Sequence, residues 1–275
     1  MKNFSCLSLL FLSIVTLFFA SCGKNKVKGL GPFSVSATQQ IIFSPGNLQY
    51  QASTKTWRFA ERQWDFIGRA NENISSSYSG WIDLFGWGTG DNPTESSESD
   101  YFAFTDWGVN PISNGGNEAN LWRTLTEDEW VYLFHGRANA EKLFGLGMVN
   151  GVQGTIILPD GWVTPSGLTF TPSTDKGLSW EGSYYFNRNW DNFSHNTYTS
   201  GQWEQMEANG AVFLPASGDR RGTSVSYAGT YGNYWSSAPN GSSNAYSVYF
   251  NGDCLYLELN VSRLHGFTVR LVSGL

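Results

Sequence analysis

AYSVYFNGDCLYLELNV, residues 245–261, carries the plainest period in the chain. Ala245 to Phe250 reads as a strand and Asn251-Gly252 as the favoured two-residue turn; Leu255, Leu257, Leu259 and Val261 then alternate with Tyr256, Glu258 and Asn260. A period of two predicts an antiparallel hairpin that buries the leucines and turns Tyr256, Glu258 and Asn260 toward solvent or a partner. Cys254, at the head of the alternation, reads as a small strand residue rather than a nucleophile. A further strand is expected at residues 267–272 (FTVRLV), which makes the C-terminal segment a meander.

Upstream, GTIILP at 154–159 and GAVFLP at 210–215 share one ending, either as two core strands that meet loops at a proline or as the trace of a duplication. A helix is expected over residues 200–208, with Trp203 and Met206 on one face and Gly210 as its stop. The clearest helix starts at Thr126, where Thr126-Glu127-Asp128-Glu129 spells a capping box with three acids in the first turn. Trp130, Leu133 and Phe134 supply its apolar stripe. Residues 71–120 mix Gly, Ser, Asn, Asp and aromatics without a sustained period, so a long packed loop region is expected in which Trp81, Phe85, Trp87 and Trp107 cover the core. From 33 to 68 the signals are strands again, with Leu48-Gln49-Tyr50 facing Trp57-Arg58-Phe59 across the polar turn Ser53-Thr54-Lys55.

The N-terminus has its own mechanism. LSLLFLSIVTLFF, residues 7–19, follows Lys2 and is too short to span a bilayer comfortably as a permanent helix, so it reads as an export signal. It ends in Phe19-Ala20-Ser21-Cys22-Gly23, which resembles the lipobox of bacterial lipoproteins, where cleavage before the cysteine frees a thiol for a diacylglyceryl group. On this reading residues 1–21 are the lipoprotein signal, Cys22 is the lipidation site and membrane attachment, 22–32 is a basic tether, and 33–275 is a single domain. The expected location is the cell envelope, lipid-anchored at the outer membrane, with the facing side open. Cys6 leaves with the signal, so Cys254 stands alone and neither an intramolecular disulfide nor a cysteine zinc site is expected.

Charged residues make up 15% of the chain against a usual figure of roughly 25%, while aromatics reach 16% with 31 Gly, which argues against disorder and coiled coils. A formal net charge of −6 disfavours attraction to phosphate backbones, so no nucleic-acid partner is expected. No Gly-x-Gly-x-x-Gly links a strand to a helix, no nucleophile elbow surrounds Ser236-Ser237, and His135, His195 and His265 lack ligand spacing. No catalytic residue, cofactor or metal site is therefore expected.

Leu121-Trp122-Arg123-Thr124-Leu125-Thr126-Glu127-Asp128-Glu129-Trp130-Val131-Tyr132 resembles the R-L-P-T-E-x-E-W-E-Y helix start of the sulfatase-modifying, formylglycine-generating branch of C-type-lectin-like domains. Leu214-Pro215-Ala216-Ser217-Gly218-Asp219-Arg220, Gly232-Asn233-Tyr234-Trp235-Ser236-Ser237, residues 245–250 and Gly266-Phe267-Thr268-Val269-Arg270-Leu271-Val272 together resemble the Fibrobacter major paralogous domain. The ordered set, with the helix start, covers about half of the chain after the signal. The resemblance implies an α+β, C-type-lectin-like fold: two short helices, small antiparallel sheets and long loops, preceded by N-terminal strands, with a β-hairpin region at 33–68 and the paralogous-domain core at about 121–275. It also implies framework roles for Trp235 and Arg270, the latter satisfying loop carbonyls. Formylglycine-generating enzymes rely on a cysteine pair, which this chain lacks, and the calcium motifs of sugar-binding C-type lectins are absent; Trp190-Asp191-Asn192 has their residue types in another order and reads as a surface loop.

The exposed candidates between Arg220 and Gly266 are Tyr231, Asn233, Asn244, Tyr256, Glu258, Asn260 and His265, joined by Tyr227 and Asn240. Rigid aromatic area beside amide hydrogen bonding makes adaptable binding surfaces and suits the faces and hydroxyls of sugars, while the same residue types also serve the turns of a loop-rich fold. The expected function is a lipid-anchored, non-enzymatic envelope protein that binds a glycan or a surface protein. A structural or assembly component of the envelope is the alternative. An enzyme of the sulfatase-modifying type comes third.

Overall fold

The computed structural model describes residues 29–97, 103–173, 175–178, 183–186 and 193–275; the leader, Cys22 and Trp190-Asp191-Asn192 lie outside them. Thr126 closes the helix start as its spacing predicts. Its Oγ1 accepts from the Glu129 N–H at 3.2 Å, and Glu129 Oε2 accepts from the Thr126 N–H at 2.9 Å. Helix α1 (Glu127–Val131) runs on into a π-helical turn over Tyr132–Gly136 and buries Trp130, Leu133 and Phe134. Helix α2 (Ser200–Ala208) starts with a second capping box, Thr199 with Gln202, and Gly210 follows it at a φ of +93° that a side chain would strain.

The strands form small sheets around these helices. In the N-terminal part they are β1 (Leu30–Ser34), β2 (Gln40–Phe43), β3 (Leu48–Gln51), β4 (Thr56–Phe59) and β5 (Trp81–Ile82). After α1 come β6 (Phe144–Val149), β7 (Val152–Ile157), β8 (Asp175–Leu178), β9 (Ser183–Phe186) and β10 (Thr197–Tyr198). After α2 come β11 (Val212–Pro215), β12 (Asp219–Arg221), β13 (Ser224–Ser226), β14 (Gly232–Asn240), β15 (Asn244–Phe250), β16 (Cys254–Ser262) and β17 (Val272–Gly274). They assemble in the orders β1-β2-β17, β4-β3-β5, β10-β6-β7-β11, β12-β13 and β14-β15-β16-β9-β8. Short helices, separate small sheets and long connections make an α+β fold. The two matching segments are neighbours: β7 and β11 pair antiparallel, Gly154 opposite Pro215 and Ile157 opposite Val212.

Among the described residues the buried apolar side chains gather in three clusters. One joins Phe33, Phe43, Trp130 and Phe134 to Tyr234, Leu255 and Leu257; another packs Trp203 and Met206 of α2 on Ile156 and Phe213. The middle cluster holds Phe59, Phe85, Trp107 and Trp122 against Trp235 and Phe267, so the N-terminal hairpin shares a core with the C-terminal segment.

Four expectations are corrected. Strand β1 begins at Leu30, which is buried opposite Phe43, so the last three residues of the expected tether are strand. Trp81 is only half-buried, and the Arg58 guanidinium lies over its ring at 3.8 Å. Of the expected strand at 267–272 only Val272 enters a strand, β17, where it pairs with Phe43; the residues before it are a buried thread that makes single bridges, Phe267 to Phe85 and Thr268 to Tyr234. Arg270 reaches the side-chain oxygens of Asn47 and Gln63, at 3.4 and 3.0 Å; it is the buried Arg220 that satisfies loop carbonyls, those of Leu84, Glu95 and Gly222.

Side-chain amides replace missing strand neighbours. Gln63 Oε1 accepts from the Phe213 N–H at 2.7 Å while its Nε2 donates to the Ala211 carbonyl at 3.0 Å. Asn114 brackets Phe59 and Asn196 brackets Thr171 in the same two-bond manner. Each offers one acceptor and one donor to a lone stretch of backbone that would otherwise be unpaired.

Candidate ligand-binding site

Strands β12 and β13, the loop after them and one face of the large sheet enclose a cavity of about 370 Å³. Gly218 lets the chain enter β12: its φ is +82°, and a Cβ there would stand 2.4 Å from the Ser226 carbonyl oxygen. The far side of the loop carries Tyr227 in the left-handed region, at φ +56°, a conformation uncommon for a bulky residue. Its carbonyl accepts from Thr230 N, Thr230 Oγ1 and Tyr231 N at 2.9 to 3.1 Å, which fixes that conformation. Tyr227 is 56% exposed, and its ring stacks on Tyr231 with centroids 4.2 Å apart. Tyr231 meets Tyr249 edge-on at 5.5 Å.

Polar groups face this aromatic wall. Asp219 is 9% exposed, and among the described residues its carboxylate accepts no hydrogen bond; its nearest cation is Arg221 Nε at 3.8 Å. Burial raises its pKa and Arg221 partly offsets this. Asn233 is buried, with Nδ2 donating to the Gly218 carbonyl and Oδ1 accepting nothing among the described residues. Burial first, and then Arg221, hold the His265 imidazole down to about 4. His265 packs edge-on against Phe267 at 5.5 Å, and Phe267 lies on the buried Trp235 at 4.5 Å.

A sign follows for pH. The unfolded imidazole takes its proton near 6.5 and the folded one near 4, so this group costs stability as pH falls between those values and none above them. In an NMR titration His265 is expected to show a midpoint near 4, and Arg221→Gln to move it upward by removing a like charge. A midpoint near 6.5 in the unmodified chain would contradict the burial.

The structure brings Tyr231, Asn233 and His265 together in the cavity. Tyr256 stands one strand beyond, opposite Tyr249 at 5.9 Å. Glu258, Asn260 and Asn244 lie elsewhere, and a β-bulge is the cause for the first two. Ser247 pairs with Leu259 but Tyr249 with Tyr256, so β16 carries one extra residue and its alternation reverses there. Leu255 and Leu257 enter the core, whereas Leu259 and Val261 line the cavity on the face of Tyr256. Glu258 instead meets α1, where burial, and next its hydrogen bond to Glu258, pushes the Glu127 carboxyl up to about 7. Asn260 is exposed opposite Tyr246, and Asn244 opens β15 at the far hairpin end, its carbonyl accepting from Arg263 Nε at 3.0 Å. Asp219, Arg221, Ser226 and Tyr249 were not among the expected site residues; the G-D-R spacing marks a turn into β12 but not what lies across it. Cys254 is buried, and burial with Asp253 beside it pushes the thiol up to about 11. No group of three histidine, cysteine or acidic side chains suited to a metal occurs among the described residues.

Residues 187–272, which contain every lining residue of the cavity, match the model of a family described as a domain of unknown function (DUF8237). No curated protein and no solved structure matches the chain.

Proposed function

We propose that this chain is a lipid-anchored, non-catalytic binding protein of the cell envelope: a C-type-lectin-like domain attached through Cys22, at the outer membrane, that takes a glycan or a protein ligand in the Asp219–Tyr231 cavity. One observation carries the reading. Asp219, nine-tenths buried and without a hydrogen-bond donor among the described residues, opens on a cavity whose rim is an exposed tyrosine held in a strained conformation. An acceptor that opens on a cavity without a protein donor can accept from a ligand, and strain persists where the surrounding structure enforces it, so both features fit a ligand that donates hydrogen bonds and stacks. The lipobox-like Phe19–Cys22 segment supports the anchor, and among the described residues no helix is long and apolar enough to cross a membrane.

Arrays of glycans and of surface proteins test the reading. Saturable binding is expected, weakened about tenfold or more by Asp219→Asn or Tyr231→Ala, since a hydrogen bond to a charged group is worth about 1.5–3 kcal/mol. Tyr227→Gly is expected to weaken binding while leaving thermal stability unchanged or slightly higher, because glycine relieves the left-handed backbone. Binding that survives all three substitutions would remove the site. Labelling with a palmitate analogue is expected to disappear in Cys22→Ser.

A further inference from the structure

The large sheet extends the aromatic wall beyond the cavity. Register places Asn233, Tyr249 and Tyr256 opposite one another across β14, β15 and β16, in a row perpendicular to the strands. Tyr231 joins the row from the loop, and Tyr227 stacks outside it. Centroid spacings of 4.2, 5.5 and 5.9 Å connect Tyr227 to Tyr231, Tyr231 to Tyr249 and Tyr249 to Tyr256. Four tyrosines thus run from the exposed rim, past the cavity, to one strand beyond it. The β16 bulge is what keeps this strip beside the cavity wall: without the extra residue, Tyr256 and Leu259 would point to opposite faces, and with it they share one.

The charges in the cavity are balanced. Asp219 faces Arg221, and the His265 imidazole is neutral at ordinary pH, so a ligand with a net charge gains no unopposed partner. What is unfilled among the described residues is acceptor capacity, at the Asp219 carboxylate and Asn233 Oδ1. A pyranose supplies both needs, with hydroxyl donors along its edge and an apolar face for an aromatic ring. Neighbouring strands stand roughly 4.8 Å apart, a step comparable with one sugar ring, so a chain of sugars crossing the strands passes Asn233 on β14 and then a tyrosine on each of β15 and β16.

Resting on the binding reading above, we infer that the ligand is a neutral oligosaccharide recognised over at least two consecutive rings. One ring sits in the cavity with hydroxyls donating to Asp219 and Asn233, and the next lies along Tyr249 and Tyr256. Tyr256 is then a second-subsite residue that sets chain-length preference.

Calorimetry on the full chain in detergent, with manno-, xylo-, cello- and malto-oligosaccharides of one to six units, tests this. In one series the affinity is expected to rise about tenfold from one unit to three, roughly one stacking contact, and then to level off. Tyr256→Leu keeps strand propensity and apolar bulk but removes the aromatic face, and is expected to reduce that gain to less than about threefold. Tyr256→Ala, checked for an unchanged melting temperature, is expected to do the same. A monosaccharide that binds as tightly as its trimer, or a length gain that survives Tyr256→Leu, overturns the two-ring inference while the cavity reading stands. Binding to proteins alone, with no oligosaccharide of any length, overturns the carbohydrate assignment; binding to neither overturns both.

Discussion

Gln63→Leu is expected to lower the unfolding free energy by about 3–5 kcal/mol, although the residue is polar and lies well before the C-terminal segment it supports. The side chain is fully buried and serves three partners: the Phe213 N–H, the Ala211 carbonyl and the Arg270 guanidinium. Leucine fills similar space and leaves all three without it. A buried unsatisfied group costs about 1–3 kcal/mol, more if charged, and Arg270 is fully buried; among the described residues its Nε already has no partner and its guanidinium would keep the 3.4 Å contact to Asn47 alone. Burial lowers the Arg270 pKa to about 10, the direction expected of a cation far from water. Adding Arg270→Met separates the contributions. With the guanidinium gone, Gln63→Leu strands only two backbone groups, so the double variant is expected to cost less than the sum of the singles by about 1–2 kcal/mol. Urea unfolding with a constant slope measures this, and strictly additive losses would show that the amide and the guanidinium are not coupled.

That clamp marks the limit of what the residue pattern discloses. Capping boxes need four adjacent residues, and the hairpin at Leu48–Phe59 needs a turn and two short alternations, so both are legible locally. Gln63 looks like any exposed glutamine in a turn; its role exists only because β11 lacks a neighbour on one side, 150 residues along the chain. The tail shows the same division. Residues 245–261 announce their strands, but no alternation records the bulge that shifts their register. The site was half legible for that reason. Tyr231, Asn233 and His265 belong to turns or strand starts whose residue types already suggest exposure, whereas Asp219 and Tyr249 are strand residues that acquire their meaning from what stands opposite. A strict period of two puts Glu258 and Asn260 on one outward face with Tyr256, and the extra residue in β16 reverses it.

Trp235→Ala is expected to be as damaging, at about 3–5 kcal/mol, and to disable the cavity as well. The indole is 1% exposed, donates from Nε1 to the Phe85 carbonyl at 2.7 Å, and sits in the cluster that joins the N-terminal hairpin to the tail. Alanine leaves a large hole and removes one of the two donors to the Phe85 carbonyl, which keeps the Phe267 N–H. The floor of the cavity rests on this ring: Phe267 lies on Trp235, and His265 packs edge-on against Phe267. If Phe267 drops into the vacated space, His265 gains water, and its depressed pKa is expected to climb from about 4 toward 6.5. Trp235→Phe retains part of the volume and is expected to show smaller movements in both readouts. Chemical unfolding together with the His265 titration follows the two effects in one protein. A destabilised variant whose His265 midpoint stays near 4 would show that the cavity floor is held independently of Trp235, and would shift the support of the site to the backbone bridges that tie Phe267 to Phe85 and Thr268 to Tyr234.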